Sequence, residues 1–296
     1  VNTHDLFVKL NPLQKARIIN VMKGHGHTVG FMGDGINDAP ALRQADVGIS
    51  VDNAADITKD VSGIILLEKS LLVLEDGILE GRRVYANAMK YIKMTISSNF
   101  GNALSVLIAS IFLPFLPMLS IQLLVQNLIY DTAQMAIPWD NVDDETLAQP
   151  TPWRAEGLFR YTVLFGPLSS IFDVLTFLFL WFGLGIGAHA ASIPWQHVFQ
   201  AGWFVEGLFT QTLIVHIFRT RHIPSLRTPA SAVVLLSTAL ALAVGGLLVL
   251  TPLRTAFDFG RLPWHFWPIV LLIIAGYILT VEISKALYVR RTGEWL

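Results

Sequence analysis

Two hydrophobic patterns divide the chain. Up to about residue 70, short apolar runs alternate with stretches of helical periodicity, which is typical of a parallel sheet with helical crossovers. Beyond residue 93, apolar stretches of about 20 residues recur, and each is long enough to cross about 30 Å of hydrocarbon. The six predicted spans lie near residues 94–113, 118–138, 161–183, 197–218, 230–251 and 266–287. The pattern therefore predicts an α/β unit followed by a six-helix, all-α transmembrane bundle.

The α/β unit is predicted from four apolar runs that have the length of strands. These runs are LFVKL, TVGFM, VGISV and GIILLE, and the stretches PLQKARIINVMKGHG and NDAPALRQA have helical character. In parallel sheets, ligands bind outside the carboxyl ends of the strands. Asp34 and Asp38 closely follow TVGFM, so we expect them at such a position.

A nearly continuous helical pattern runs from Leu71 to Phe112. At 1.5 Å per residue this helix would be about 60 Å long, about twice the thickness of the hydrocarbon core. We therefore expect residues 71–93 to form a helical stalk outside the bilayer, in which Gly77 and Gly81 are points where the helix can bend.

Composition supports a membrane protein and excludes several classes of site. The chain is 53% hydrophobic and 15% charged, whereas soluble domains carry about 25% charged residues. The net charge of −1 gives no indication of a nucleic-acid partner, and the absence of cysteine excludes disulfides and thiolate metal sites. The start VNTHDLFVKL has neither Met nor the layout of a signal peptide, so we expect a longer parent protein.

The basic residues predict the orientation of the spans. Those that flank the predicted spans lie almost entirely on one side, and the other side holds only Arg254 and Arg261. Under the positive-inside rule, the basic side is cytoplasmic. Both termini and the α/β unit are then predicted inside the cell, with membrane lipid around the bundle.

The chemistry of the first part is concentrated in GFMGDGINDAP, residues 30–40. Gly33 and Gly35 allow the backbone to approach an anion closely, and aspartate oxygens are hard ligands of the kind that Mg²⁺ prefers. Asn37 is expected to cap the helix that follows. A simple Asp-Gly turn before a helix would give a similar short string.

The longer string GDGINDAPAL, followed by ADVGISV and preceded by NPLQK, resembles the hinge motif of P-type ATPases. These are ion pumps built on a haloacid-dehalogenase-like phosphorylation domain. The resemblance implies that Lys15 steadies the charge of a phosphorylated aspartate and that Asp34 binds the catalytic Mg²⁺ directly. It further implies that Asp38 and Asn37 hold the surroundings of this metal and that ATP is the substrate of the intact pump.

The family's nucleophile lies in the string Asp-Lys-Thr-Gly-Thr, which this sequence does not contain. The resemblance therefore implies that the nucleophile and the nucleotide-binding domain belong to a missing N-terminal part of the same pump. Residues 1–70 would complete the phosphorylation domain, residues 71–93 would be the stalk, and residues 94–296 would be family helices five to ten. We expect the fragment alone to be inactive.

Polar side chains are costly to place in the hydrocarbon core, so those inside predicted spans are candidates for a functional cation site. The candidates are Asn99, Asn102, Asn127, Asp131, Asp173 and Glu206. The pairs 99/102 and 127/131 have the spacing of neighbours on one helical face. Asn99 and Asn127 are also consistent with bonds between helices. For Asp173, a structural or proton-related role is as consistent as ion binding.

The stretches ISSNFGN and LLVQNLIYD resemble the ion-binding stretches of calcium pumps, which have Glu at the position of Asn102. This resemblance implies a transported-cation site of Asn99, Asn102, Asn127, Asp131 and Glu206. Other stretches resemble bacterial magnesium-transporting ATPases, which implies Mg²⁺ import across the cytoplasmic membrane. A calcium or proton pump, a membrane-tethered phosphatase and a passive or regulatory fragment are the alternatives. The acidic loop WDNVDDETL either attracts cations or is a solvated connector.

Overall fold

The computed structural model describes residues 4–68, 70–150, 155–223, 225–293 and 295. The chain divides into two compact units, Val1–Gly81 and Arg82–Leu296. The boundary between them falls inside the longest helix, which runs over Leu71–Phe112 without interruption and so confirms the continuous helix that the sequence predicts.

The first unit contains a three-stranded parallel sheet in the order β1-β2-β3. The strands and helices are β1 (Gly30–Met32), β2 (Val47–Val51), β3 (Ile64–Leu66), α1 (Pro12–Gly24), α2 (Ala39–Gln44) and α3 (Asp56–Asp60). Gly30 is aligned with Val47, and Ile49 is aligned with Ile64. Three of the four predicted strands are therefore confirmed, and the crossovers between them are helical.

The predicted strand LFVKL is wrong. Residues 6–10 form no strand, and Leu6 and Val8 are 80% and 69% exposed. A strand needs a neighbour with which to share backbone hydrogen bonds. In the described part of the chain, β1 pairs with β2 only, and residues 6–10 pair with no strand.

The start of α1 is fixed by a reciprocal cap. The Asn11 side chain accepts a hydrogen bond from the Gln14 backbone N–H at 2.8 Å, and the Gln14 side chain accepts one from the Asn11 N–H at 2.9 Å. Pro12 occupies the first turn, where its missing N–H costs nothing. Ile19 of this helix packs with Val29 and neighbouring apolar residues. The cap therefore places Lys15 in the first turn of a helix that is anchored to the sheet.

The second unit is helical. Its elements are α4, whose full range is Leu71–Phe112, α5 (Ser120–Gln134), α6 (Asp144–Ala148), α7 (Ala155–Leu178), α8 (Ile193–Phe218), α9 (Ala232–Leu250) and α10 (Phe266–Thr292). A single π-helical turn, Phe179–Gly183, extends α7. Most of α8 is buried, and its side chains contribute the largest share of the apolar core.

Five helices among the described residues are long and apolar enough to cross a membrane, namely α4, α7 with its extension, α8, α9 and α10. The second predicted span, residues 118–138, is wrong in length, because α5 has 15 residues. It is about 22 Å long at 1.5 Å per residue, shorter than the hydrocarbon core. Prolines limit it on both sides: Pro114 and Pro117 precede the helix, and Pro138 follows its end at Gln134.

Helices α4 and α7 approach each other closely at a pair of glycines. A Cβ atom at Gly101 would overlap the Ser169 hydroxyl and lie 2.8 Å from the Gly166 carbonyl. The Ser170 hydroxyl donates a hydrogen bond of 3.0 Å to the Gly101 carbonyl. This contact brings the side chains that follow Gly101 on α4 next to α7.

Candidate functional sites

The loop after β1 is folded around the Asp38 side chain. Residues Ile36–Asp38 form one 3₁₀ turn, and α2 begins directly behind it. A Cβ atom at Gly33 would lie 2.8 Å from Asp38 Cγ, so only glycine leaves room for this carboxylate. The Gly35 N–H donates a hydrogen bond of 3.3 Å to Asp38 Oδ2. The glycines predicted as anion-approach positions therefore hold an aspartate in place.

Lys15 and Asp38, which are 23 positions apart in sequence, form an ion pair. Lys15 Nζ lies 2.7 Å from Asp38 Oδ1, and the two side chains are 32% and 12% exposed. Both carboxylate oxygens of Asp38 thus have partners within the protein, one in α1 and one in its own loop. The pair holds the ammonium group of Lys15 at the carboxyl end of β1.

Asp34 and Asn37 lie on the exposed side of the same loop. The expectation that Asn37 caps the next helix is wrong, because the N-cap of α2 is Asp38 and no side chain bonds there. The extra 3₁₀ turn places Asn37 one residue too early to cap. Its amide is therefore not committed to a helix end and is exposed beside Asp34.

The side-chain oxygens exposed on this loop could provide part of the ligand shell of a bound Mg²⁺. Mg²⁺ prefers oxygen ligands and keeps several waters when it binds through one or two carboxylates. Asp34 supplies an exposed carboxylate and Asn37 an exposed amide oxygen, and Asp38 is paired with Lys15. No group of three or more acids and histidines suited to a metal is present among the described residues. The loop can hold Mg²⁺ through few direct ligands.

Asp46 is a second anchor of this region that sequence reasoning missed. Its carboxylate accepts a hydrogen bond of 2.9 Å from the Val29 N–H and lies 2.9 Å from Lys23 Nζ. The Val29 N–H, followed by Lys23, lowers the pKa of Asp46 below its ordinary value. Asp46 therefore ties the last turn of α1 to the segment that enters β1.

The predicted cation ligands fall into two groups. Glu206 is 1% exposed, and the Asn102 carboxamide oxygen accepts a hydrogen bond of 2.6 Å from Gln211 Nε2 on α8. Asn99, Asn127 and Asp131 are exposed on this chain. Of the predicted ligands, Asn102 of α4 contacts α8 and Glu206 of α8 is buried, so these two belong to the interior of the bundle. The other three lie on the surface of this chain.

Helix α5 carries two neighbouring rows of polar side chains. The buried row has them at every fourth position, at Gln122, Gln126, Tyr130 and Gln134. The second row, Asn127 and Asp131, lies about 100° further around the helix and is exposed, and we call it the outer α5 face. The rest of the exposed surface of α5 is largely apolar. Because the two polar rows are adjacent, sequence periodicity does not identify which of them faces inward.

Asp173 of α7 lies in the bundle interior, 6% exposed. Its Oδ1 accepts a hydrogen bond of 2.7 Å from Trp203 Nε1, and its Oδ2 accepts one of 2.7 Å from the Ser105 hydroxyl. Glu206 follows Trp203 by about one turn of α8, so it lies on the same side of this helix as the residue that donates to Asp173. One acid from α7 and one from α8 therefore meet next to α4.

The acidic loop WDNVDDETL is not simply a solvated connector, because two of its acids are buried. Asp140 and Asp143 are each 3% exposed. Asp140 Oδ2 lies 3.0 Å from Lys90 Nζ and 2.8 Å from Arg219 Nε. Asp143 accepts hydrogen bonds from the Thr220 hydroxyl at 2.8 and 2.9 Å. Asp140 therefore neutralises two buried basic groups, and Asp143 is held by hydroxyl groups in the interior, so neither acid is presented to cations in solution.

Comparisons with known proteins identify related sequences. The sequence profile of the family described as "Cation transporting ATPase, C-terminus" matches residues 115–287, more than half of the chain. The "Magnesium-transporting ATPase, P-type 1" of Escherichia coli K12 is 53% identical over 97% of this chain and 32% of its own length.

The protein of the same name from Salmonella typhimurium strain 14028s is 52% identical over the same shares. A "Calcium-transporting ATPase" of Bacillus subtilis is 31% identical over 60% of the chain and 21% of its own length. The chain spans about a third of the length of the magnesium-transporting relatives that it matches. It therefore belongs to the family of cation-transporting P-type ATPases, and it corresponds to about a third of such a protein at the carboxyl-terminal end.

Proposed function

We propose that the chain is the carboxyl-terminal part of an ATP-driven pump that imports Mg²⁺ across the bacterial cytoplasmic membrane. The observation that carries this proposal is the Lys15–Asp38 ion pair at 2.7 Å, which fixes the Lys15 ammonium group on the loop that also carries Asp34. The higher identity to magnesium-transporting relatives than to the calcium-transporting one favours Mg²⁺ as the transported ion. In this proposal, both termini are cytoplasmic.

In the phosphoryl-transfer step, this chain positions charge. Asp34 and Asn37 would hold the catalytic Mg²⁺, which supplies charge neutralisation on the phosphoryl oxygens when bound. Lys15 would supply positive charge to the phosphoryl group, and its hydrogen bond to Asp38 fixes its orientation. Gly33 and Gly35 keep Asp38 within reach of that lysine. The nucleophilic aspartate and the ATP site belong to the rest of the protein.

Cation transport uses the polar groups of the bundle. Asn102 and Glu206 provide ligand oxygens in the interior, and Asn99, Asn127 and Asp131 provide them on the chain's exposed surface. We infer that the part of the pump outside this chain covers the outer α5 face and completes the site there. Mg²⁺ tolerates such a site because it keeps several of its own waters.

The phosphoryl-transfer role is tested in the complete protein with the variant Asp34→Ala. We expect no phosphoenzyme from labelled ATP, because the direct ligand of the catalytic Mg²⁺ is lost. Asp56→Ala is the matched control, because the Asp56 side chain is 96% exposed and lies outside the loop. Phosphoenzyme formation by Asp34→Ala at the level of the control would contradict the assigned role.

The ion is tested in liposomes that contain the complete protein with its cytoplasmic side outward. We expect ATP added outside to drive Mg²⁺ out of the lumen, measured with a luminal Mg²⁺-sensitive dye. Liposomes loaded with Ca²⁺ provide the comparison. Release of Ca²⁺ without release of Mg²⁺ would make the magnesium assignment wrong.

A further inference from the structure

The strongest candidate for a further site is the pair of acids Asp173 and Glu206. Asp173 accepts a hydrogen bond of 2.7 Å from Trp203 Nε1, and Glu206 follows Trp203 by about one turn on the same side of α8, so the two acids are neighbours. They are 6% and 1% exposed. Within the described part of the chain, no lysine, arginine or histidine forms an ion pair with either of them. Two neighbouring buried carboxylates are both ionised only when a positive charge lies between them, and otherwise one of them takes up a proton.

Several buried ligand oxygens on α8 and α5 have no hydrogen-bond partner among the described residues. Glu206 Oε2 is buried and has no hydrogen-bond partner, and the same holds for Gln211 Oε1, on a residue that is 8% exposed. Gln126 Oε1 on α5 is also buried without a partner, and its Nε2 lies 2.9 Å from the position of a Cβ atom at Gly207, directly after Glu206. Leaving such groups unpaired in the interior costs about 1–3 kcal/mol each. A ligand that supplies positive charge would satisfy them.

A small cavity adjoins Asp173. Its volume is about 20 Å³, and the polar part of its lining includes Ser98, Asn102, Asp173 and Gln211. A cavity of this size holds about one water molecule. Its polar side chains offer oxygen ligands, which select hard cations such as Mg²⁺ over softer metals.

We propose that Asp173 and Glu206, with the amide oxygen of Gln211, form a binding site for a small divalent cation between α4, α7 and α8. This inference rests on the proposed function, because it adds Asp173 to the path of the transported ion. The hydrogen bonds from Trp203 and Ser105 hold the Asp173 carboxylate facing Glu206. The close approach of α4 and α7 at Gly101 brings Ser105 within reach of Asp173.

The test measures binding, without ATP, in the complete protein. Trp203 donates its indole N–H to Asp173, so its fluorescence reports on that carboxylate, and the Trp203→Phe variant identifies its share of the signal. The background variant Asp34→Ala removes the proposed cytoplasmic Mg²⁺ ligand. We expect a saturable Trp203 signal on titration with MgCl₂, and a half-saturating concentration at least about tenfold higher in Asp173→Asn.

Asparagine can keep both contacts of Asp173, because its oxygen can accept from Trp203 while its amide donates to Ser105. The matched control is Asp258→Asn, the same change at an exposed loop position, which should leave the half-saturating concentration unchanged.

Equal Mg²⁺ affinity in Asp173→Asn and the parent, at equal melting temperature, would overturn the site, and so would the absence of a Trp203 signal. If Asp173→Asn does not fold, Glu206→Gln must show the same loss of affinity, and an unchanged affinity there overturns the proposal.

Transport separates this inference from the proposed function. A protein that shows the Trp203 titration but moves no Mg²⁺ from liposomes keeps the binding site and loses the pump assignment. A protein that moves Mg²⁺ with unchanged affinity in Asp173→Asn keeps the pump assignment and loses the site.

Discussion

The buried ion pairs of Asp140 give the sharpest stability prediction. One carboxylate oxygen, Oδ2, contacts both Lys90 Nζ at 3.0 Å and Arg219 Nε at 2.8 Å, and all three side chains are at most 2% exposed. Replacing Asp140 by Asn leaves two buried positive charges without their counterion. Breaking one buried pair by removing a partner costs about 3–5 kcal/mol.

Carbonyl contacts reduce this cost without removing it. Lys90 also donates to the Asn141 carbonyl at 2.7 Å, and Arg219 donates to the Thr228 carbonyl at 2.6 Å. Both hydrogen bonds remain in the variant, so we expect a loss of about 3 kcal/mol, at the lower end of the range. For a unit of this size, that corresponds to a fall in melting temperature of about 6–12 °C.

The assay is thermal unfolding of the purified protein in detergent, followed by tryptophan fluorescence at a fixed heating rate. Asp144→Asn is the matched control, because Asp144 lies in the same acidic segment and is exposed. We expect a change within about 0.5 kcal/mol for this control. If both variants melt at the temperature of the parent, the Asp140 contacts do not stabilise the fold as described.

Two further predictions concern the other contacts that position the sites. Because the pKa of Asp46 is lowered in the fold, its stabilising contribution is complete above the unfolded pKa of about 3.9 and is lost as the pH falls through the lower folded value. Urea unfolding followed between pH 2 and 7 should therefore show an acid-induced loss of stability that is smaller in Asp46→Asn, and an identical pH profile in both proteins would refute this role. Gly101→Ala should destabilise the protein by about 1–3 kcal/mol, because its methyl group overlaps Ser169, whereas Gly77→Ala, which meets no atom within 4 Å, should be neutral or stabilising. Equal melting temperatures for the two alanine variants would contradict the close packing of α4 against α7.

The sequence predicted the elements of this fold well where the hydrophobic pattern is strong. The helix Leu71–Phe112 has the predicted bounds, and three strands lie within the predicted runs. The hydrophobic pattern gave wrong predictions in two cases: where a strand requires a neighbouring strand, and where the length of a helix depends on more than composition. The run at residues 6–10 has strand composition but no described neighbour, and the span at 118–138 is shortened by prolines at both ends.

Contacts between distant charges were the least predictable part of the site. The resemblance of two motifs assigned Lys15 and Asp38 to one site, but it did not predict the ion pair between them. In contrast, Asp140 appeared to be one of several acids in a polar loop, and its partners lie 50 and 79 positions away. Side-chain burial at such positions depends on the packing of several helices, and periodicity within one segment carries no information about it.

The outer α5 face poses the clearest physical problem for this chain on its own. Asp131 and Asn127 are exposed there, and an acid that faces hydrocarbon is costly, up to about 2.5–3.5 kcal/mol at the centre of a bilayer on insertion scales. Helix α5 is also too short to span the hydrocarbon core by itself. Both features are costly against lipid and cost little against protein or a water-filled path. Since the chain spans about a third of the length of its magnesium-transporting relatives, this cost supports the proposal that the remainder of the protein covers the outer α5 face.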